Sequence, residues 1–333
     1  MNDKIKLVLR AAAAVFVVTL MVMLSELLGE KEILFPETAA IALGALTAER
    51  MPWRITPVRM MVLMSAGGFA GFLLSAYVGI PLYPKIIAAF VFCCIVLYFS
   101  GSTMLPMISA AVLPVLTDAD SILYPLSVII LTSMILLIQY VFDKTGIRKA
   151  DSCNCVRAEA KPFFLHWCYL LAVLMITAAV AVASGRIYII APPLIVAFAE
   201  LSEKESPVRK SPVQVFLCVS ACALTGAVSR LLLCNVCGMP LTAGAFAAAA
   251  LSVSLLLFFG KPFPPAAALS ILPFILPPQE LAAYPFEVMA GMAFFTAAAV
   301  FCGSKPAERL VSLGAKLFGK VREKGDGSDE ILS

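Results

Sequence analysis

The sequence predicts an all-α polytopic membrane protein of about twelve transmembrane segments, arranged as two parallel six-segment repeats. Three observations predict it: an apolar composition, a succession of hydrophobic runs with little chain between them, and one loop motif that occurs twice. Of the 333 residues, 61% are hydrophobic and only 14% charged. Mean hydropathy is +0.97. Soluble domains are about 45–50% apolar and about 25% charged. A core of this size cannot hide so much apolar surface from water, so the solvent of most of the chain is lipid. A spanning helix needs roughly 17–25 mostly apolar residues. Segments at 8–28, 34–48, 58–80, 84–101, 102–117, 121–142, 163–184, 187–201, 212–233, 241–260, 262–277 and 283–303 meet or approach that need and leave no room for a soluble domain.

The first segment follows Lys4, Lys6 and Arg10, as a secretory signal does, but no small-x-small cleavage site follows Ser25-Glu26-Leu27-Leu28. It reads as an uncleaved span. Lys and Arg concentrate on the cytoplasmic side of membrane proteins. With the N-terminus inside and every segment spanning, 21 of the 25 basic residues fall inside. They include Arg50, Arg54, Arg59, the 144–161 cluster, Lys204, Arg209, Lys210 and the tail. Lys31, Lys85 and Arg186 fall outside, and Arg230 falls within a span near its end, where it is expected to snorkel. If the short segment 34–48 or 102–117 did not span, these clusters would change sides. The units are therefore a first repeat over 1–143, a cytoplasmic linker over 144–162, a second repeat over 163–303, and a cytoplasmic tail over 304–333. Apolar residues at helical spacing among Arg309, Lys316 and Lys320 give the tail an amphipathic surface helix. The remainder of the tail reads as disordered.

The repeat is written in the loops. Shifted by 155 residues, Leu46-Thr-Ala-Glu-Arg-Met-Pro52-Trp-Arg54-Ile-Thr56-Pro57-Val58 lies over Leu201-Ser-Glu-Lys-Glu-Ser-Pro207-Val-Arg209-Lys-Ser211-Pro212-Val213. Five positions of thirteen are identical and two exchange Thr for Ser. Shared prolines and arginines cannot come from hydrophobicity alone. Gly79-Ile-Pro81-Leu82 then matches Gly238-Met-Pro240-Leu241. Gly101, Pro106, Leu113 and Pro114 match Gly260, Pro265, Leu272 and Pro273, and Tyr124-Pro125 matches Tyr284-Pro285. An even number of spans per copy makes the copies parallel, related by an axis along the membrane normal.

Two features of each copy point to a site. The second segments carry Pro36-Glu37-Thr38 and Pro192-Pro193 near their outer ends. The fifth segments open with Ser102-Thr103-Met104-Leu105-Pro106 and Phe263-Pro264-Pro265. Proline suits the first turn of a helix, where its missing N–H has no partner anyway. These segments are short: fifteen residues rise about 22 Å against a hydrocarbon core of about 30 Å. Short, proline-interrupted spans in matching positions of two halves mark a transport site. Their free N–H groups suit a small anion. The expectation is that the four helix starts converge on one cavity. The plainer alternative is that the prolines only shape packed helices. Glu37 is read as a helix cap or a proton-coupling group. Arg54 and Arg209 are read as anchors for lipid phosphates or as the lining of an inner gate. Ala66-Gly67-Gly68-Phe69-Ala70-Gly71 is read as a surface for close helix packing.

At Pro207-Val208-Arg209 and Phe263-Pro264-Pro265-Ala266-Ala267-Ala268 the chain resembles the HPP family of integral membrane proteins. That family shares an early short span, a Pro-Arg loop, a two-helix hairpin and a His-Pro-Pro-Ala-Gly-Ala-like motif. The first copy matches more faintly, through Met104-Leu105-Pro106. The namesake histidine is Phe263 in one copy and Met104 in the other, so no imidazole role carries over. Some relatives look like nitrite transporters, and the resemblance implies a carrier of a small solute, with a small anion favoured. The expected partners are the lipid bilayer and a small solute, with a homo-oligomer open and no nucleic acid. The expected location is the plasma (inner) membrane, with both termini cytoplasmic. Ten scattered cysteines and the single His166 make no four-ligand metal site, and no phosphate-binding glycine loop is present, so no cofactor and no enzyme activity are expected. The alternatives are a membrane subunit of a larger complex and an intramembrane enzyme acting on lipid. The enzyme reading would need clustered acids, histidines or metal ligands.

Overall fold

The computed structural model describes residues 2–48, 51–149, 159–204, 206–260 and 263–302, and no strand occurs among them. Arg50, the centre of the 144–162 linker, Lys261 and the amphipathic tail helix lie outside the described residues. Twelve α-helices follow in order: α1 (Asp3–Leu28), α2 (Glu37–Ala42), α3 (Pro57–Ala76), α4 (Leu82–Ser100), α5 (Pro106–Thr117), α6 (Leu123–Lys144), α7 (Ala160–Ser184), α8 (Pro192–Ser202), α9 (Pro212–Ser229), α10 (Leu241–Phe258), α11 (Pro264–Ile271) and α12 (Tyr284–Cys302). Wider π turns extend α2 over Leu43–Thr47 and α9 over Arg230–Val236.

Eight helices, α1, α3, α4, α6, α7, α9 with its extension, α10 and α12, are long and apolar enough to cross a membrane. They expose large apolar side chains such as Phe16, Val62, Phe99, Leu137, Val180 and Phe258. Such a surface is tolerable only against lipid. The chain is a multi-pass membrane protein. The four short helices are different in kind. Every residue of α2, its π extension and α11 is buried, as are Pro192 to Ala199 of α8. They form the centre, and the long helices form a shell around them.

Proline starts α3, α5, α8, α9 and α11 at the position where it costs no hydrogen bond. Gly101 and Gly260 follow α4 and α10 with φ of 63° and 64°, the left-handed region that favours glycine. Close packing uses the small residues the sequence offers. A Cβ on Gly71 would stand 2.2 Å from the Ala111 carbonyl oxygen, and one on Gly226 would stand 2.1 Å from that of Ser270. Only glycine lets α3 lie on α5, and α9 on α11, at this distance.

Hydrogen bonds sort the helix ends into two faces. On the face that holds the start of α1, Lys6 Nζ donates to Gly146 O (2.8 Å), Arg54 N to Thr103 Oγ1 (2.9 Å) and Gln214 Nε2 to Phe259 O (3.3 Å). On the opposite face, Glu26 accepts from the N–H groups of Leu241 and Thr242 (2.8 and 3.0 Å), and Glu32 from those of Asp120 and Ser121 (3.2 and 2.9 Å). There too Tyr188 Oη donates to Glu280 (2.5 Å), and Arg186 pairs with Glu287 (3.3 Å). Packing partners come in matched sets. The pairs α1–α10, α2–α11, α3–α5, α6–α2 and α6–α3 have counterparts in α7–α4, α8–α5, α9–α11, α12–α8 and α12–α9.

Two arginines expected near water are buried. Arg10 donates to the carbonyls of Leu46, Thr47 and Ala48, which the π extension of α2 leaves without helix partners. Arg230 does not snorkel. Its guanidinium donates to the carbonyls of Pro273, which also accepts from Leu276 N, and of Leu276 (2.6 Å to Leu276), just before Pro277 and Pro278, which have no N–H to offer.

Candidate functional site

Two cavities open at the two faces of the central short helices. The one on the face opposite the start of α1, here the far cavity, holds about 360 Å³. Its walls pair corresponding residues of the two halves: Leu113 with Leu272, Leu116 with Ile275, and Thr117 with Leu276. Lys31, Glu32, Tyr124, Tyr188, Pro192 and Glu280 complete it. The near cavity, on the face of the α1 start, holds about 590 Å³. It is also built from corresponding pairs, Ala48 with Glu203, Met51 with Ser206, Pro52 with Pro207, and Trp53 with Val208. Arg54, Thr103, Leu105 and Glu200 line it too. A pocket of about 140 Å³ beside it adds Ser102, His166 and Trp167 to Arg54, Thr103 and Glu203.

The loop motif that reveals the repeat therefore forms the near cavity, and the geometry explains why. Trp53 is buried with its ring against Gly44, where a Cβ would stand 2.6 Å from it. Ser102 Oγ donates to Arg54 O (3.1 Å) and accepts from Met104 N (3.1 Å), while Thr103 Oγ1 accepts from Arg54 N. The Ser102 and Thr103 hydroxyls thus clamp the Arg54 backbone at the mouth. Arg209 sits half-buried in the turn Pro207–Lys210.

The four helix starts do not meet in one cavity. Pro192 lines the far one, while Ser102 and Thr103 line the near ones. The reason is direction and reach. α5 and α11 run opposite to α2 and α8, and α5, at twelve residues, rises about 18 Å. The start of each helix therefore meets the end of a neighbour instead of another start: Pro192 faces Leu276 beyond α11, and Leu105 faces Glu200 and Glu203 at the end of α8. Pro36 precedes the first turn of α2, and Pro106 begins α5. Pro193, Phe263, Pro264 and Pro265 are buried in the packing between the cavities.

Glu37 and Thr38, in the first turn of α2, are wholly buried. Both Glu37 oxygens and Thr38 Oγ1 lack a hydrogen-bond partner. Ser109 of α5 and Tyr124 of α6 face the Glu37 carboxyl without completing a bond to it. Glu200, missed in the sequence, is the second acid of this kind. It lines the near cavity, and its Oε2 is buried without a partner. Its signal was present, since an acid inside the range 187–201 stands out among apolar neighbours. At the rim of the far cavity, burial pushes the Glu32 carboxyl up, against the N–H groups of Asp120 and Ser121 that pull it down. No protein-family model, curated protein or solved structure matches the chain.

Proposed function

We propose that the chain is a secondary transporter or channel for a small solute, built from two HPP-like six-segment copies around an axis along the membrane normal. The carrying observation is the pair of cavities at opposite faces, each walled by corresponding residues of both halves and separated by the buried helices α2, α5, α8 and α11. Matched contacts support the repeat. Tyr124 Oη donates to Ala110 O (2.8 Å), and Tyr284 Oη to Leu269 O (2.6 Å) at the corresponding place. The Gly71–Ala111 and Gly226–Ser270 approaches correspond as well. In this reading the near cavity faces the cytoplasm across the inner membrane, because basic residues concentrate on that face in the sequence.

A small anion such as nitrite is the first solute class to test, with Arg54 at the inner mouth as the attracting charge. The carboxylates of Glu32, Glu280 and Glu203 repel a lone anion, so a proton or cation travels with it. The test is uptake by liposomes holding the purified chain, over a panel of small anions and amino acids. The expected result is saturable, protein-dependent uptake of at least one member. Uptake equal to that of empty liposomes for every member, with folded protein, contradicts the reading.

A further inference from the structure

The two acids with buried, unpartnered carboxyl oxygens fall at opposite ends of equivalent helices. Glu37 stands in the first turn of α2, and Glu200 in the last turn of α8. Their counterparts at the repeat shift are Pro192 and Ala45, so neither acid belongs to the shared framework. Ionisable groups at such depth are expensive and are retained for function.

An ionised Glu37 would be a buried charge without a counter-ion, a state proteins avoid by keeping the proton. The elements packed on α2 offer no cation to it. The α5 and α11 sequences have no ionisable residue, and α6 presents Tyr124. Arg10 of α1 is held at the far end of the segment by the Leu46–Ala48 carbonyls. Glu200 meets Glu203 and Arg54 in the near cavity, with Arg209 and Lys210 on the adjoining turn and no ionisable residue on α5 or α11. Tyr124 lines the far cavity and lies within electrostatic reach of Glu37, its hydroxyl donating to Ala110 O.

We propose that Glu37 and Glu200 are the outer and inner proton-binding sites of a proton-coupled transport cycle. The inference rests on the transport reading above. In each cycle one proton enters from the far cavity on Glu37, crosses with the solute to Glu200 and leaves from there to the near cavity, so that both carboxyls end as they began. An anion that moves with that proton carries no net charge across the bilayer.

Three measurements test this. Infrared difference spectra of the purified chain in bilayers report protonated carboxyls without any transport. At neutral pH the wild type is expected to show neutral-acid C=O bands, one lost in Glu37→Gln and one in Glu200→Gln. Wild-type protein treated with a hydrophobic carbodiimide, which modifies neutral carboxyls in apolar sites, is expected to carry the label at Glu37, decreasing as pH rises. This needs no variant to fold. An unchanged spectrum in folded Glu37→Gln, or an unlabelled Glu37, overturns the proposal. In liposomes, one proton per solute lets a gradient of one pH unit support about tenfold accumulation. Both variants are expected to lose that accumulation. Retained pH-driven accumulation in either variant also overturns it. Carboxyls that titrate and label in a protein that moves no solute would leave the proton sites standing and remove the transport reading.

Discussion

Tyr124 in the first half and Tyr284 in the second reach back to equivalent carbonyls, and Gly71 and Gly226 admit equivalent helices. By contrast, Glu37 corresponds to Pro192, Ala45 to Glu200, and Ala48 to Glu203. The halves agree where backbones touch and at Arg54 and Arg209, and they disagree in where the acids are placed. A framework of close approaches constrains both copies alike, because any added volume there forces helices apart. The cavity walls are less constrained: the acids of the near cavity, Glu200 and Glu203, come from the second half alone, while the far cavity takes Glu32 from the first and Glu280 from the second. Even a shared contact has exchanged chemistry. The loop after the first helix of each half is tied to the loop before the sixth by Glu32 accepting from Asp120 and Ser121 in one half, and by Tyr188 donating to Glu280 in the other.

The strongest way to break the comparison is to fill the close approaches. Gly71→Val and Gly226→Val each put side-chain atoms into a carbonyl that a Cβ already meets at 2.2 and 2.1 Å. Both are expected to cost at least about 3 kcal/mol, at or above the usual range for overpacking, and to abolish folded yield by size-exclusion chromatography. Tolerance of one but not the other would separate the halves.

Next in size are the arginines, which have no equivalent in the opposite half. Arg10→Met strands three buried carbonyls, and Arg230→Met strands that of Leu276 while Pro273 O keeps its bond from Leu276 N. Losses of about 2–4 kcal/mol are expected from unsatisfied buried groups, read as a lowered thermal midpoint in detergent. Arg10→Met is expected to be the worse of the two. A change smaller than that of a surface arginine would show that water replaces the guanidinium.

Smaller, and equal in both halves, is the loss in Tyr124→Phe and Tyr284→Phe. Each removes one buried hydrogen bond to a carbonyl, about 1 kcal/mol. Unequal values would sharpen the comparison by locating where the copies have relaxed differently.

The smallest effect is the pH response of the Glu32 contact. Burial raises the folded-state affinity of this carboxyl for its proton above the ordinary value, so the native state binds the proton more tightly than the unfolded chain. Stability from this group is present at low pH and falls as pH rises from the ordinary carboxylate value through the raised one. The thermal midpoint of the wild type is expected to fall slightly over that window relative to Glu32→Gln. A rise would mean that the Asp120 and Ser121 N–H groups outweigh burial.

Much of this was legible in the sequence because lipid enforces simple rules. Length and apolarity mark the eight long helices, and prolines mark the helix starts within a few residues. Twelve spanning segments were expected, but only eight helices among the described residues are long and apolar enough to cross; the other four segments are short helices buried among them, their starts marked by proline. The site was harder. Pro36 to Thr38 and Ser102 to Pro106 were singled out as helix starts, but they do not converge, because spacing says nothing of which end of a neighbour a helix meets. Ser102 and Thr103 look like ligands on paper, and their hydroxyls instead hold Arg54 in place. Arg230 near a span end suggests an interfacial cation, and only the carbonyls just before Pro277 show why it is buried. Glu200 escaped notice because an acid near the end of a segment resembles one at the interface.

The central claim is that one solute path joins two cavities at opposite faces, and side-specific labelling tests it most directly. Leu116→Cys places a thiol in the far cavity and Met51→Cys one in the near cavity, each in a cysteine-free background. Applied to intact cells, a membrane-impermeant thiol reagent is expected to label Cys at 116 and spare Cys at 51. Inside-out vesicles are expected to give the reverse. Labelling of both positions from the same side, or of neither from either side in folded protein, contradicts the account.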